Sequence, residues 1–250
     1  MGFLLQVPKE KRYFMIKLYS FGTAFNLADP SPFVVKVDLH LRANKIEFES
    51  IASVDNLKAA PKGKLPFIDD NGTTVSDSSF VVEHLKNQHH ADIDAWLNEE
   101  QKATAHLISK SLDENFYWCI VHSRWIAKDT WPIVNKHFFG SLPFPVNKIV
   151  PIIAQRKVRS NMKGHGIGRH SHEEIIKIAQ QTLQSLSALL GNKPYFFGDR
   201  ISSLDICAYA MLANLTHSTF DNEMSRISKT FKNLVGFTQR IKNEYYPELD

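Results

Sequence analysis

The chain has 250 residues, of which 43% are hydrophobic and 22% charged, and its formal net charge is +4. This composition predicts one large or two folded domains and argues against an intrinsically disordered chain. The mildly basic balance permits acidic ligands, but no nucleic-acid-binding motif accompanies it, so we expect no nucleic-acid partner.

Cysteine usage and the N-terminal pattern bear on the compartment. The two cysteines, Cys119 and Cys207, lie far apart in apolar contexts and are typical of buried thiols in a reducing compartment. At the N-terminus a short apolar patch precedes the cations, which is the wrong order for a signal peptide. No run reaches the roughly 18 apolar residues that a membrane span needs. We therefore expect a cytoplasmic protein with an N-terminal extension over residues 1–14 and no integral membrane segment.

The first half of the chain alternates strand and helix signals. Ser31 and Pro32 favour a helix start there, since serine is a good N-cap and proline fits the first turn. Asn71-Gly72 is a hairpin signal between two short strands. The strands are predicted at 15–21, 47–52, 65–69 and 73–75, and the helices at 31–44 and 78–89. The order β-α-β, hairpin, α predicts a thioredoxin-like domain at residues 15–90.

In the second half the strand signals fade and helical periodicity takes over. Ser202-x-x-Asp205 forms a capping box with Asp in place of Glu, which begins a core helix rather than marking a catalytic carboxylate. The helices are predicted at 97–127, 130–140, 172–190, 202–218 and 228–244. The sequence therefore predicts an all-helical domain at residues 97–250.

The segment 130–172 has no Asp or Glu and carries seven Lys or Arg residues. One interpretation is a basic surface excursion between helices. The other is a lid or partner site for an anionic group. The sequence leaves both open.

A proline within the strand-like run Gly63–Ile68 marks the main candidate site. Proline cannot donate to a sheet ladder, and a cis Leu65–Pro66 bond before the strand would satisfy the chain. The main-chain groups of Leu65 would then face a ligand. The turn 76–79 opens a helix whose free N–H groups would face an anion. A backbone edge beside an anion-binding helix end suits a small acidic peptide such as glutathione.

Several of these strings together resemble the cytosolic glutathione S-transferase superfamily. They are Ser31-Pro32-Phe33, Gly63-Lys64-Leu65-Pro66, Asp77-Ser78 and Ser202-x-x-Asp205. The strings at 114–118, 139–145, 164–171 and 195–199 are similar to the failed axon connections branch, which is related to the metaxins. The resemblance implies an α+β thioredoxin-like N-terminal domain followed by an all-α glutathione-transferase C-terminal domain. It also implies glutathione as co-substrate without a tightly bound cofactor, and it allows a homodimer.

Ser31 is the catalytic candidate. It stands where omega-type transferases, by resemblance, carry a cysteine, and its hydroxyl would donate to the glutathione sulfur and lower the thiol pKa. The alternative is a plain N-cap.

The glutathione-binding candidates are Lys64, Leu65, Pro66, Asp77 and Ser78. The Asp77 carboxylate would take the ligand's ammonium, and Ser78 its carboxylate at the helix end. Leu65 would pair with the cysteinyl backbone by strand addition. Lys64 is more simply a solvated side chain, although it is within reach of the glycyl carboxylate. Helix capping is the alternative for Asp77 and Ser78.

Trp118, His122 and Trp125 follow a spacing of i, i+4 and i+7. Such a stripe is usually core, but in this fold the helix borders the cleft, so the three would wall a pocket for an apolar co-substrate. The histidines at 165, 170 and 172 lack the paired spacing of a structural metal site, and we predict no metal.

The sequence thus favours a glutathione S-transferase-like protein that uses reduced glutathione on an unknown electrophile. The alternative is a non-catalytic binding or scaffold protein of the failed axon connections or metaxin type, with the segment 130–172 as its partner surface. A thiol–disulfide reductase is disfavoured because position 31 is not cysteine.

Overall fold

The computed structural model describes residues 15–249, so the predicted extension at residues 1–14 lies outside the described part. Four strands form one mixed sheet in the order β2-β1-β3-β4. They are β1 (Ile16–Ser20), β2 (Phe48–Ala52), β3 (Phe67–Asp70) and β4 (Thr73–Ser76). β1 runs parallel to β2 and antiparallel to β3, and β3 runs antiparallel to β4. This is the thioredoxin-like layout that the alternating signals predict.

Helix α1 (Pro32–Ala43) connects the parallel strands β1 and β2 and lies between two hydrophobic cores. Val34 and Val37 pack into the core of the sheet. Val35 and Leu39, on the opposite side of α1, pack into the core of the helical half. Because both faces are buried, α1 ties the site-bearing loop before it to both halves of the molecule.

The remaining helices follow the sheet. The N-terminal half also has α2 (Asn56–Ala59), which was not predicted, and α3 (Ser78–His89), which has the predicted bounds. The second half has α4 (Glu99–Ser111), α5 (Tyr117–Val121), α6 (Trp131–Phe139), α7 (Val146–His165), α8 (His172–Leu190), α9 (Ser203–Thr216), α10 (Glu223–Ser228) and α11 (Lys232–Tyr245). Two π-helical turns, Leu112–Phe116 and His122–Ile126, and two 3₁₀ turns, Ile167–Arg169 and Pro247–Leu249, complete the described chain. This is the predicted fold class, a thioredoxin-like unit followed by a helical one.

Helix α9 is the centre of the helical half. Every residue from 204 to 215 is buried. Its start is the predicted capping box: the Asp205 carboxylate accepts from the N–H of Ser202 at 2.8 Å, and the Ser202 side chain receives a bond from the N–H of Asp205. Cys119 and Cys207 are both buried and free, as expected.

The main departure from the predicted elements is α7. The sequence predicts a basic excursion between helices over 130–172, where Pro143, Pro145 and Pro151 lie close together, yet the 20 residues Val146–His165 form a helix. Pro145 precedes the helix, and Pro151 lies early inside it, where it removes one hydrogen bond without ending the helix. The last predicted helix, at 228–244, corresponds to α11, and the short helix α10 before it was not predicted. Within residues 15–249, no helix has both the length and the apolar character that a bilayer crossing demands.

Candidate functional site

The predicted glutathione-binding residues meet at one end of the sheet, which we call the glutathione end. Tyr19 near the end of β1 lies opposite Phe67, which lies opposite Ser76 at the end of β4. The loop after β1, the Leu65–Pro66 step and the start of α3 therefore all lie at this end. The Leu65–Pro66 peptide is cis, as predicted.

Ser31 caps α1 with its hydroxyl oxygen, which accepts from the N–H of Val34 at 3.4 Å. The N-cap interpretation is therefore confirmed. Ser31 is only partly buried, and within the described chain no acceptor takes its hydroxyl hydrogen. A serine hydroxyl can accept and donate at once, so this group still has a hydrogen to offer to an anion beyond the helix end.

Asp29 organises the loop that carries Ser31, and sequence reasoning missed it. Its buried carboxylate accepts from the N–H groups of Phe21, Gly22 and Ser31 at 2.8, 2.9 and 2.8 Å. Burial raises the pKa of Asp29 to about 7, and the three N–H donors oppose that shift. The local signal was an aspartate two residues before a predicted N-cap.

Arg124, which the sequence analysis did not include, lies buried beneath the same loop. One guanidinium nitrogen donates to the carbonyl of Pro30 at 2.6 Å, and the other donates to the Asn214 amide oxygen. Burial lowers the pKa of Arg124 to about 10, so the group remains a cation near neutral pH. It adds positive charge under the N-terminus of α1, and no local sequence signal points to it.

Asp77 begins α3 in a left-handed conformation, with φ of 89°. One carboxylate oxygen accepts from the N–H of Ser79 at 2.9 Å, and the side chain is exposed. The capping interpretation is therefore correct for one oxygen, while the other has no bonded partner among the described residues. A non-glycine residue at positive φ costs about 1–3 kcal/mol and is typical of ligand clamps. The next residue, Ser78, is buried at the first position of the helix.

Lys64 and Leu65 directly precede Pro66, whose carbonyl accepts from the N–H of Asp77 at 3.4 Å. The Leu65 side chain is buried, and neither of its main-chain groups forms a hydrogen bond with the described part of the chain. An unpaired backbone edge of this kind can accept an extended peptide. Lys64 is exposed and forms no ion pair with residues 15–249.

The three predicted pocket residues contact three different parts of the helical half. Trp118 stacks on His165 with ring centroids 5.1 Å apart, and His122 hydrogen-bonds to His172 at 3.0 Å. Trp125 packs on Trp131 and on Phe138. The π-helical turn His122–Ile126 adds a residue to that turn, so simple helical spacing does not describe the stripe. Their role in binding a co-substrate stays a prediction.

A second aromatic cluster lies closer to the candidate site. Phe138 on α6 has its ring centroid 5.9 Å from that of Phe21 and 6.2 Å from that of Phe25, both on the loop after β1. Phe25 also lines an open cavity of about 710 Å³ with Pro132, Ile133, Lys136 and His137. Through Phe138 this cluster reaches Trp125, so one of the three predicted residues borders it. An apolar wall beside a polar helix end suits a compound with one reactive atom.

The histidines considered for a metal have other contacts. His165 stacks on Trp118, His170 lies 3.5 Å from Glu174, and His172 bonds to His122 and Glu223. Burial, with His172 and Arg159 nearby, lowers the pKa of His122 to about 4, so His122 is neutral near pH 7.

Comparison with known proteins places this geometry in a family. A glutathione S-transferase N-terminal domain model matches residues 32–131, and a C-terminal domain model of the same family matches residues 179–241. The isoprene-epoxide–glutathione S-transferase of Rhodococcus sp. (strain AD45) is 31% identical over 241 residues, covering 92% of this chain and 99% of that protein.

This chain belongs to the glutathione S-transferase family.

Its relatives within the glutathione S-transferase family include the predicted branch. Failed axon connections of Drosophila melanogaster is 30% identical over 94% of this chain and 59% of that longer protein. Human metaxin-2 is 29% identical over 76% of this chain and 72% of its own length. Among solved structures, a beta-etherase from Sphingobium sp. strain SYK-6 shares the fold with a TM-score of 0.63 at 19% identity, over 94% of this chain and 100% of that one.

Proposed function

We propose that the protein binds reduced glutathione along the Leu65–Pro66 step and uses its thiol on an apolar electrophile. Two observations carry the proposal: among residues 15–249 the main chain of Leu65 has no hydrogen-bond partner, and one carboxylate oxygen of Asp77 accepts no bond. The two residues are close because the N–H of Asp77 donates to the carbonyl of Pro66 at 3.4 Å. The cysteinyl backbone of glutathione would pair with Leu65. Its ammonium would bind Asp77, and its γ-glutamyl carboxylate would meet the N–H and hydroxyl of Ser78.

Ser31 would act on the sulfur. Its free hydroxyl hydrogen would donate to the thiolate, and the N-terminus of α1 and the Arg124 cation would add positive potential. The thiol proton leaves to solvent, the sulfur forms a bond to an electrophilic carbon, and the bond from that carbon to its leaving group or ring oxygen breaks. An epoxide, the class named for the Rhodococcus relative, would take up a proton on its opened oxygen. The cavity beside Phe25 would hold the apolar part of the compound.

Calorimetric titration with reduced glutathione tests the proposal. We expect binding by the wild type and roughly 10- to 100-fold weaker binding by Asp77→Ala, because a charge-assisted hydrogen bond contributes about 1.5–3 kcal/mol. Asp221→Ala, which removes an exposed carboxylate paired with Arg226, is the matched control and should bind as the wild type does. Equal binding by the wild type and Asp77→Ala would reduce Asp77 to a helix-start residue.

The second candidate is a non-catalytic binding protein that kept the fold. It is favoured by the basic segment around α7, whose outer apolar side chains no other part of the described chain covers. Absence of glutathione binding at millimolar concentration would select this candidate. For either function we propose a cytoplasmic location, which fits two buried, free cysteines.

A further inference from the structure

A histidine–carboxylate cluster lies at the end of the sheet opposite the glutathione end. Asp70, the last residue of β3, is buried, and one of its carboxylate oxygens accepts from Nε2 of His84 at 2.8 Å and from Nε2 of His89 at 2.7 Å. Both histidines are on α3. The three ligand atoms all lie within 4.8 Å of one another.

This set of atoms matches what zinc prefers. Two imidazole nitrogens and one carboxylate oxygen, with a water as fourth ligand, form a common tetrahedral site. Bonds of about 2.0–2.1 Å would place the ligand atoms about 3.3 Å apart, so the rings must retreat by roughly half an ångström. His89 lies in the last turn of α3 with its side chain 29% exposed, so it has room to move and leaves an entry path.

The carboxylate is already oriented. The Asn71 side-chain amide donates to the second oxygen of Asp70 at 2.9 Å, which leaves the shared oxygen facing the two histidines. Partners of this kind hold metal ligands in place. The alternative is that the two hydrogen bonds merely fasten α3 to the β3–β4 turn.

We propose that Asp70, His84 and His89 bind one zinc ion, with each histidine binding through Nε2 as the neutral tautomer that carries its proton on Nδ1, and that the ion fastens α3 to the sheet. The site is independent of glutathione, because β3 runs from Phe67 at the glutathione end of the sheet to Asp70 at the opposite end.

The test uses the full chain after dialysis against a chelator, titrated with zinc chloride by calorimetry. We expect one zinc per chain, and more than about 100-fold weaker binding in His84→Ala and His89→Ala, since loss of even an outer partner costs 10- to 100-fold. His106→Ala, an exposed histidine on α4, should bind as the wild type does. Cobalt(II) on the wild type should give the visible spectrum of a tetrahedral site, a readout that needs no variant. Absence of zinc binding, or wild-type affinity in both histidine variants, would overturn the proposal.

A separate observation concerns the outer surface of α7, which we call the apolar tip. Phe144 is 81% exposed, and beside it on α7 the exposed fractions of Ile149, Ile152 and Ile153 are 52%, 53% and 58%. The packed side of α7 is instead marked by the buried Pro151. Large exposed apolar side chains grouped in this way mark an interaction surface.

Cations surround the apolar tip. Lys148 lies among the isoleucines, and Arg156, Lys157 and Arg159 are exposed on the following turns. No acidic residue occurs between positions 130 and 172. A short apolar tip flanked by cations fits the boundary between lipid headgroups and acyl chains, where the apolar side chains insert and the cations meet anionic headgroups.

We propose that this surface docks on an anionic lipid membrane, without crossing it. Co-sedimentation with vesicles of phosphatidylcholine, with and without phosphatidylserine, tests the idea. We expect binding only with phosphatidylserine, weakening at high salt, and loss of binding in Ile149→Asp. Leu107→Asp, which changes an exposed leucine on α4, should bind as the wild type does. No binding to either vesicle would overturn the proposal. So would a wild-type dimer that Ile149→Asp converts to a monomer, which would make the tip a contact between two copies of this chain.

Discussion

At the scale of single residues, the chemistry available at position 31 depends on whether the side chain carries an oxygen or a sulfur. A hydroxyl stays protonated near neutral pH and can only donate to a sulfur, whereas a thiol at a helix N-terminus ionises. Asp29 and Arg124 hold the loop around this position through buried hydrogen bonds. The native thiols are poor competitors, because burial raises the pKa of Cys119 and of Cys207 to about 12.

Ser31→Cys should create glutathione-dependent disulfide reduction that the wild type lacks. The introduced thiol should form a mixed disulfide with glutathione, which mass spectrometry after exposure to oxidised glutathione would show. Ser171→Cys, at the exposed N-cap of α8, shares the helix-end position without a peptide-binding edge and should lack the activity. If position 31 stays unmodified while Cys119 or Cys207 reacts, Ser31 is not in the site.

A buried histidine predicts how stability depends on pH. Burial, and secondarily Lys36, lowers the pKa of His40 to about 3, below the value near 6.5 of the unfolded chain. As the pH falls below 6.5, His40 takes up a proton in the unfolded chain but not in the folded chain, which favours unfolding. The contribution of His40 to stability is therefore fully present above pH 6.5 and is lost below it. Between pH 7 and pH 5 this loss should lower the free energy of unfolding by about 2 kcal/mol. Urea titrations should show that loss reduced by about that amount in His40→Phe and unchanged in His106→Gln. Parallel pH profiles for the wild type and His40→Phe would contradict the assignment.

At the scale of elements, the capping boxes of α8 and α9 differ in burial. In α9 the Asp205 carboxylate is inaccessible and also accepts from the N–H of Phe196 at 2.8 Å, so it joins the helix to the preceding loop. In α8 Ser171 and Glu174 form the same box in solvent. The same sequence spacing therefore forms two capping boxes that we expect to contribute differently to stability.

Asp205→Ala should lower the free energy of unfolding by about 3 kcal/mol, because it removes a cap and leaves buried donors without a partner. Glu174→Ala should lower it by less than about 1 kcal/mol, since water replaces the lost acceptor. Urea denaturation of both variants measures the difference. Equal losses in the free energy of unfolding would show that burial does not change what a capping box contributes to stability.

At the scale of the whole molecule, polar contacts join the two halves, and two of them are buried. The ammonium of Lys36 on α1 lies 2.8 Å from the carboxylate of Asp113, in the π-helical turn after α4, and both side chains are under a tenth exposed. The Arg124 contact to Pro30 and the bond from the N–H of Thr219 to the carbonyl of Phe25 join the halves next to the candidate site. The loop that carries Ser31 is thus positioned by the helical half.

Lys36→Met and Asp113→Leu should each lower the free energy of unfolding by about 3–5 kcal/mol, because each leaves a buried charge unpaired. The double variant should recover most of that loss, since neither charge remains to be solvated. A double-mutant cycle by urea denaturation measures the coupling. A double variant less stable than either single variant would mean that packing, rather than charge, joins the halves.

Local pattern determined the elements whose stabilising contacts lie within a few residues. The N-cap at Ser31, the Asn71-Gly72 hairpin, α3 and the capping box at Asp205 were all predictable, because caps and turns are satisfied by near neighbours in the chain. Helix α7 was missed because Pro151 inside it, and Pro143 and Pro145 before it, resemble helix breakers when their place relative to the helix start is unknown.

Contacts between distant segments were decided by the tertiary structure alone. Arg124 reaches Pro30 across 94 positions of the chain, and Lys36 reaches Asp113 across 77. Neither pairing leaves a periodic or local signature, since it exists only after α1 has packed between two cores. The sequence by itself thus determined the family and the cis Leu65–Pro66 step at the end of the sheet where we propose that glutathione binds. Folding decided which buried charges lie beneath that end of the sheet, because burial and partner choice are properties of packing.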